Sequence, residues 1–199
     1  MTKNSYRFYT ALLWRTLVST LICMPLAAED TDKIELIKIS NNVEIDGKLD
    51  DPEWQVAPSI QNLVQVEPNS GQSPSEVTKV WLAYSSDSLY IAVRCEDTSP
   101  ERIVATEMRR DAMLRDNDNV EIVLDTYHDH RNAYYFATNA AGAMVDGRIS
   151  ENQFASTEWD GIWNVRTHRD EDGWSVEFNI PFKTIGFNPG VADWGFNIS

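Results

Sequence analysis

Short segments in which apolar and polar residues alternate make up most of the chain after residue 40. The clearest are residues 89–96, 120–125 and 174–180, where every second side chain is apolar or nearly so. A period of two is the pattern of a β-strand that buries one face. About nine or ten such strands can be counted, which predicts an all-β protein folded as an antiparallel β-sandwich of jelly-roll or immunoglobulin-like type.

The segments between the predicted strands are rich in turn-forming residues. Residues 85–88 predict a four-residue hairpin loop, and residues 127–131 predict the turn of a second hairpin. A proline follows a capping residue at Asp51-Pro52 and again at Ser99-Pro100. This order favours the start of a helix, so we expect one or two short helical turns.

The first 28 residues have the order of an export signal. Lys3 and Arg7 precede an apolar stretch, and the small residues Ala27 and Ala28 come before the acidic remainder. This order is typical of a secretory signal peptide, and the stretch is too short for a stable membrane span. An amphipathic N-terminal helix is the alternative. We therefore predict a signal peptide at residues 1–28 and a single domain at residues 29–199.

The chain is acidic, with 17 Lys and Arg against 31 Asp and Glu and a net charge of -14. The first 28 residues contain three basic residues and no acidic one, so the remainder carries 14 basic against 31 acidic residues. Nucleic acids and anionic membrane surfaces attract Lys and Arg, so this balance argues against both as partners.

The sequence contains no pattern that predicts catalysis. It has no nucleotide-binding glycine loop, no serine-nucleophile elbow and no His-Glu-x-x-His helix. A pair of carboxylates can hydrolyse a glycoside, but no pair among the 31 acidic residues stands out. We therefore expect a protein that is not an enzyme.

Residues 111–121 are the densest cluster of oxygen ligands in the chain. Hard cations such as calcium prefer carboxylate and carbonyl oxygens. Asp116 and Asp118 are the candidate ligands for a structural calcium ion. A solvated loop that leads into a strand is the alternative.

The chain contains seven tryptophans, two of which flank a turn in a polar region. Trp159 and Trp163 lie on either side of Asp160-Gly161. If their rings are exposed, they present an aromatic plane that suits the C–H face of a sugar. Packing in the core is the alternative.

Several motifs occur in the order found in family 9 carbohydrate-binding modules. The motifs cover most of residues 40–199 and lie at residues 45–54, 89–93, 118–122, 136–139, 173–182 and 194–198. The resemblance implies a jelly-roll β-sandwich, export and carbohydrate binding, often with calcium. Residues 125–134 are most similar to a subset in which the module precedes a large outer-membrane barrel. The resemblance thus implies the periplasm or outer membrane of a Gram-negative bacterium, and a chain that continues beyond Ser199.

Sugar-binding members of the family hold a terminal sugar between two tryptophans. In an alignment on residues 118–121, the first tryptophan position is Arg115 and the second lies beyond Ser199. Ala137 stands where the family has an arginine. Glu121 and Asn139 match polar positions of the family's site.

The resemblance therefore implies that Glu121 and Asn139 form hydrogen bonds with a sugar, and we place Arg115 and Trp159 at the rim of that site. Two other functions stay open. One is an interaction domain of an outer-membrane barrel with no sugar ligand. The other is haem binding through methionines, for which the candidates are Met108, Met113 and Met144. A hydrolase function enters only by association, because family members are often parts of glycan-degrading enzymes.

Overall fold

A computed structural model of the protein describes residues 33–40 and 42–199, of which Ile34–Ser199 form one compact unit. The predicted signal peptide at residues 1–28 lies outside the described residues. The described residues form one α-helix, α1 (Pro52–Val56), a 3-10 helix at Pro100–Arg102, and the strands β1 (Ile37–Lys38), β2 (Ser59–Ile60), β3 (Thr78–Tyr84), β4 (Ser88–Glu96), β5 (Asn119–Asp125), β6 (Ala133–Asn139), β7 (Val145–Ile149), β8 (Asn164–Asp170), β9 (Gly173–Pro181) and β10 (Gly195–Ile198).

The strands form two sheets, which confirms the predicted β-sandwich. The larger sheet has the order β1-β3-β4-β9-β8, with β2 also paired to β3. The smaller sheet has the order β10-β5-β6-β7. All pairs are antiparallel except β1 with β3, which is parallel.

The main core lies between the two sheets and follows the alternation of the sequence. Val176, Phe178 and Ile180 of β9 face Ile122 and Phe136 of the smaller sheet, and all five are fully buried. The predicted hairpins are both present. The first is tighter than predicted, because Ser88 already belongs to β4 and pairs with Pro181.

The second face of the larger sheet is also buried, because the N-terminal segment packs across it. Ile39, Val43 and Trp54 of this segment pack on Tyr90 and Ala92 of β4. We call residues 37–57 the strap. The helix α1 lies within it; Asp51 holds the N-cap position, but its side chain makes no capping hydrogen bond.

The carboxylate of Glu177 helps to fasten the strap to the larger sheet. Glu177 of β9 is fully buried. Its two oxygens accept hydrogen bonds from the backbone N–H groups of Asp46 and Gly47 (3.1 and 2.9 Å) and from the Trp54 indole N–H (2.8 Å). Among the residues that the structure describes, no such segment crosses the smaller sheet, and the loop that contains Leu114 covers one end of its outer surface. No helix among the described residues is long and apolar enough to cross a membrane.

Candidate functional site

The outward side of the smaller sheet is the surface that the fold leaves accessible. Alternation along β5 and β6 directs Ile122 and Phe136 into the core and directs Glu121, Val123 and Tyr135 outward. Asn197 of β10 pairs with Val123 and is exposed on the same side. We call this surface the outer face. Its side chains are held by paired strands, which makes it a rigid platform for a ligand.

Glu121 and Tyr135 form a polar pair on the outer face. Both side chains are half-buried, and the Glu121 carboxylate lies near enough to the Tyr135 hydroxyl to affect its pKa. Burial raises the pKa of Tyr135, and the nearby Glu121 carboxylate raises it further. The pair therefore consists of a neutral phenol and a carboxylate with oxygen lone pairs left to accept hydroxyl groups.

The predicted sugar contact Asn139 has a structural role in this conformation. Its side-chain amide donates to the Glu107 carbonyl (2.7 Å) and to the Asn117 side chain (2.9 Å). Its side-chain oxygen accepts the backbone N–H groups of Ala141 and Ala143, both at 3.1 Å. Because Asn139 is fully buried with both groups bonded, it positions the neighbouring loop and has no polar group left for a ligand.

That loop, residues 104–118, covers the Asn139 end of the outer face. It is closed where the Asp118 carboxylate accepts the backbone N–H of Val104 at 2.7 Å. Leu114 packs on Ala137 and Tyr135 of β6. Arg115, the next residue, is exposed. The structure thus places Arg115 at the border of the face that contains Glu121 and Tyr135.

Trp159 lies on the other side of β6. Its ring centroid is 5.0 Å from that of Tyr134 and 6.0 Å from that of Phe136, and both residues point into the core. Trp159 is half-buried, while Trp163 is buried and stacks on Phe178 at 5.9 Å. The packing alternative therefore describes Trp163 fully and Trp159 in part, and Trp159 lies on the core side of β6, away from Glu121.

The calcium ligands predicted from the sequence do not converge in the structure. Asp116 is exposed, and one oxygen of the Asp118 carboxylate is used by Val104. Within the described ranges, no three His, Cys, Asp or Glu side chains are grouped to hold a metal ion. Calcium takes six to eight oxygen ligands, including backbone carbonyls, so Asp116 and Asp118 alone do not complete such a site.

Of the methionines considered for haem, Met144 packs against the main core, whereas Met108 and Met113 are exposed on the loop.

Three residues of the outer face and its surroundings were missed in the sequence. Tyr135 and Asn197 could have been found from alternation, since each occupies an outward position opposite Val123 of β5. Phe154 is fully exposed, at 100%. Its signal is an aromatic residue within the polar segment that joins β7 to β8.

The family of the chain follows from its match to a family model. The model described as carbohydrate family 9 binding domain-like matches residues 45–199. The chain belongs to this family. A comparison with curated proteins gives no match.

Solved structures with the same fold include two complexes of a family 9 module from Caldicellulosiruptor kristjanssonii. The module in the glucose complex is 19% identical to this chain, the match covers 82% of this chain and 75% of the module, and the TM-score is 0.54. The cellotriose complex is 20% identical, covers 82% and 74%, and has a TM-score of 0.53. A protein from Bacteroides uniformis, named as a proposed carbohydrate-binding protein, is 14% identical, covers 82% and 80%, and has a TM-score of 0.61.

Proposed function

We propose that the protein is a non-catalytic module that binds an uncharged carbohydrate on the outer face. The observation that carries the proposal is membership of the family 9 binding domain-like family over residues 45–199, with an accessible carboxylate and phenol on that face. Glu121 accepts sugar hydroxyl groups, and Arg115 donates to the sugar from the border of the loop.

Charge supports an uncharged carbohydrate over an anionic one. The net charge of the chain is -14, and the outer face presents the Glu121 carboxylate. A polyanionic glycan would be repelled by this field. Hydroxyl groups of a neutral sugar instead gain charge-assisted hydrogen bonds, which are about twice as strong as neutral ones.

The non-catalytic part of the proposal rests on where Glu177 lies, because its pKa is raised into the range of a general acid. Burial raises the pKa of Glu177 to about 7, the range of a general acid. However, Glu177 is fully buried beneath the strap with both oxygens hydrogen-bonded. It is therefore a structural group and is out of reach of a substrate.

Calorimetry on the whole protein tests the proposal with glucose, cellotriose and an anionic polysaccharide as probes. We expect binding of a neutral sugar, at least tenfold weaker in Glu121→Gln, since a hydrogen bond to a charged group contributes about 1.5–3 kcal/mol. Glu171→Gln, at an exposed position in the turn before β9, is the matched control and should bind as the unchanged protein does. Absence of binding by every neutral sugar, in a folded sample, would overturn the proposal.

An interaction domain of an outer-membrane barrel protein is the second candidate function. The loop at residues 104–118 borders the outer face and exposes the side chains of Met108, Met113 and Arg115. Arg115 occupies the position at which the resemblance leads one to expect a tryptophan. Exposed methionines adapt readily to a partner surface. This candidate predicts that a barrel partner increases the stability of the protein and that no sugar does so.

Export to the periplasm or outer membrane is the third part of the proposal. It is supported by the basic, apolar and small-residue order of residues 1–28. N-terminal sequencing of protein recovered from the periplasm should begin at or near residue 29. A chain that remains intact in the cytoplasm would contradict export.

A further inference from the structure

A groove crosses the outer face at the end farthest from Asn139. It has a volume of about 310 Å³, within the usual range for ligand sites. Its floor contains Val123, Ala133 and Ile149, one from each of three adjacent strands. Its walls come from the turn between β5 and β6 and from Asn152. We call it the hairpin groove.

The walls of the hairpin groove are fixed by hydrogen bonds. The Asp125 carboxylate accepts the backbone N–H groups of Asp129 (3.2 Å) and His130 (2.7 Å), which shapes the turn. Arg131 forms an ion pair with Glu151. These groups therefore build the groove, while the exposed Asn197 on β10 offers an amide at its edge.

Phe154 presents a bare aromatic ring beside the hairpin groove. Its side chain is fully exposed, and with Asn152 and Gln153 it lines a second depression that shares Asn152 with the groove. The loop that presents it is attached to the hairpin turn, because the backbone N–H of Asn152 donates to the Arg131 carbonyl at 2.9 Å. An apolar floor, an amide and an aromatic plane are the groups that recognise the C–H and O–H sides of a sugar.

The groove is continuous with the proposed sugar site. Glu121, Val123 and Asp125 follow one another on the same side of β5, so the groove begins at Val123, about 7 Å from Glu121, and the face extends about 13 Å from Glu121 to Asp125. This length admits more than one sugar unit. We propose that the hairpin groove is a second contact site for an uncharged oligosaccharide, with Phe154 stacked on a sugar ring and Asn197 bonded to its hydroxyl groups.

The inference rests on the proposed function, and its test separates the two. Affinities for glucose and for cellotriose are measured with the unchanged protein and with Phe154→Ala and Asn197→Ala. We expect each variant to bind cellotriose about threefold to tenfold more weakly, the size of an aromatic contact or a hydrogen bond, with glucose affinity unchanged. Phe154→Tyr retains the ring and should retain cellotriose affinity.

Matched controls at exposed positions away from the outer face are Ile162→Ala and Asn164→Ala, which should change neither affinity. Equal thermal midpoints verify that the variants fold. If the unchanged protein binds cellotriose and Phe154→Ala and Asn197→Ala bind it equally well, the second contact site is overturned and the proposed function stands. If the unchanged protein binds neither sugar, both are overturned together.

Discussion

The carboxylate of Glu177 is the side chain on which the attachment of the strap depends most directly. It accepts three N–H groups, and a glutamine has only one oxygen to replace its two. We expect Glu177→Gln to lower the free energy of unfolding by about 1–3 kcal/mol, the cost of leaving buried donors unpaired. Urea denaturation measures it, and Glu171→Gln in an exposed turn should differ from the unchanged protein by less than about 0.5 kcal/mol.

The pH dependence of this difference gives a second measurement on the same pair. Burial, opposed by the three hydrogen bonds and assisted by the charge of Asp51, raises the pKa of Glu177 from 4.5 to about 7. Between these values the folded state binds more protons than the unfolded state, so this group lowers stability as pH rises and has no further effect above about 7. The amount by which the free energy of unfolding of the unchanged protein exceeds that of Glu177→Gln should therefore be largest near pH 4.5 and smaller at pH 8. An advantage that grows with pH would show that the carboxylate stays ionised throughout.

For Asn139, the sequence predicts the position of the residue in the fold but not its hydrogen-bond partners. Its position at the end of a strand on the outer side was predictable from alternation. Its hydrogen-bond partners were not, because Glu107 and Asn117 lie 32 and 22 residues away in the chain. The family resemblance implied a sugar contact, whereas in the fold the Asn139 side chain forms its hydrogen bonds within the neighbouring loop.

Among the elements, those with a buried and an exposed face were predicted well. The pairing of β5 with β6 and the sheet pairing of β3 with β4 followed from period-two alternation and turn chemistry. The strap was missed, since its one strand, β1, has only two residues and carries no readable period. The strap also explains why Tyr90 and Ala92, on the side of β4 expected to be solvated, are buried.

The strap approaches the larger sheet closely at Gly47. This residue has a φ of +90°, and a Cβ there would lie 2.5 Å from the backbone carbon of Thr167. Gly71 has a similar φ of +81°, but no atom lies within 4 Å of its Cβ position. Both alanine variants incur about 1–2 kcal/mol from the left-handed backbone. We expect thermal unfolding to show a clearly larger loss of stability for Gly47→Ala than for Gly71→Ala. The difference between the two losses measures the cost of the close contact between the strap and Thr167. Equal losses would mean that the strap moves aside without cost.

Taken as a whole, the molecule buries one sheet on both sides and leaves the other accessible. The strap and the smaller sheet enclose the larger sheet, which then serves as a scaffold. The outer face remains open between the loop at residues 104–118 and the hairpin groove. Under the proposed function, this division assigns stability to one sheet and ligand contact to the other.

The same molecule combines this architecture with a net charge of -14. Self-repulsion of that size destabilises the compact state, and raising the salt concentration from 0.01 to 0.15 M shortens the screening length from about 30 to 8 Å. We expect the thermal midpoint to rise over this interval, while affinity for an uncharged sugar stays constant because its hydrogen bonds do not depend on long-range charge. A falling midpoint would mean that ion pairs such as Arg94 with Asp170, bonded at 2.7 and 2.8 Å, outweigh the repulsion. A sugar affinity that falls steeply with salt would instead identify a charged ligand and contradict the neutral carbohydrate proposed for the outer face.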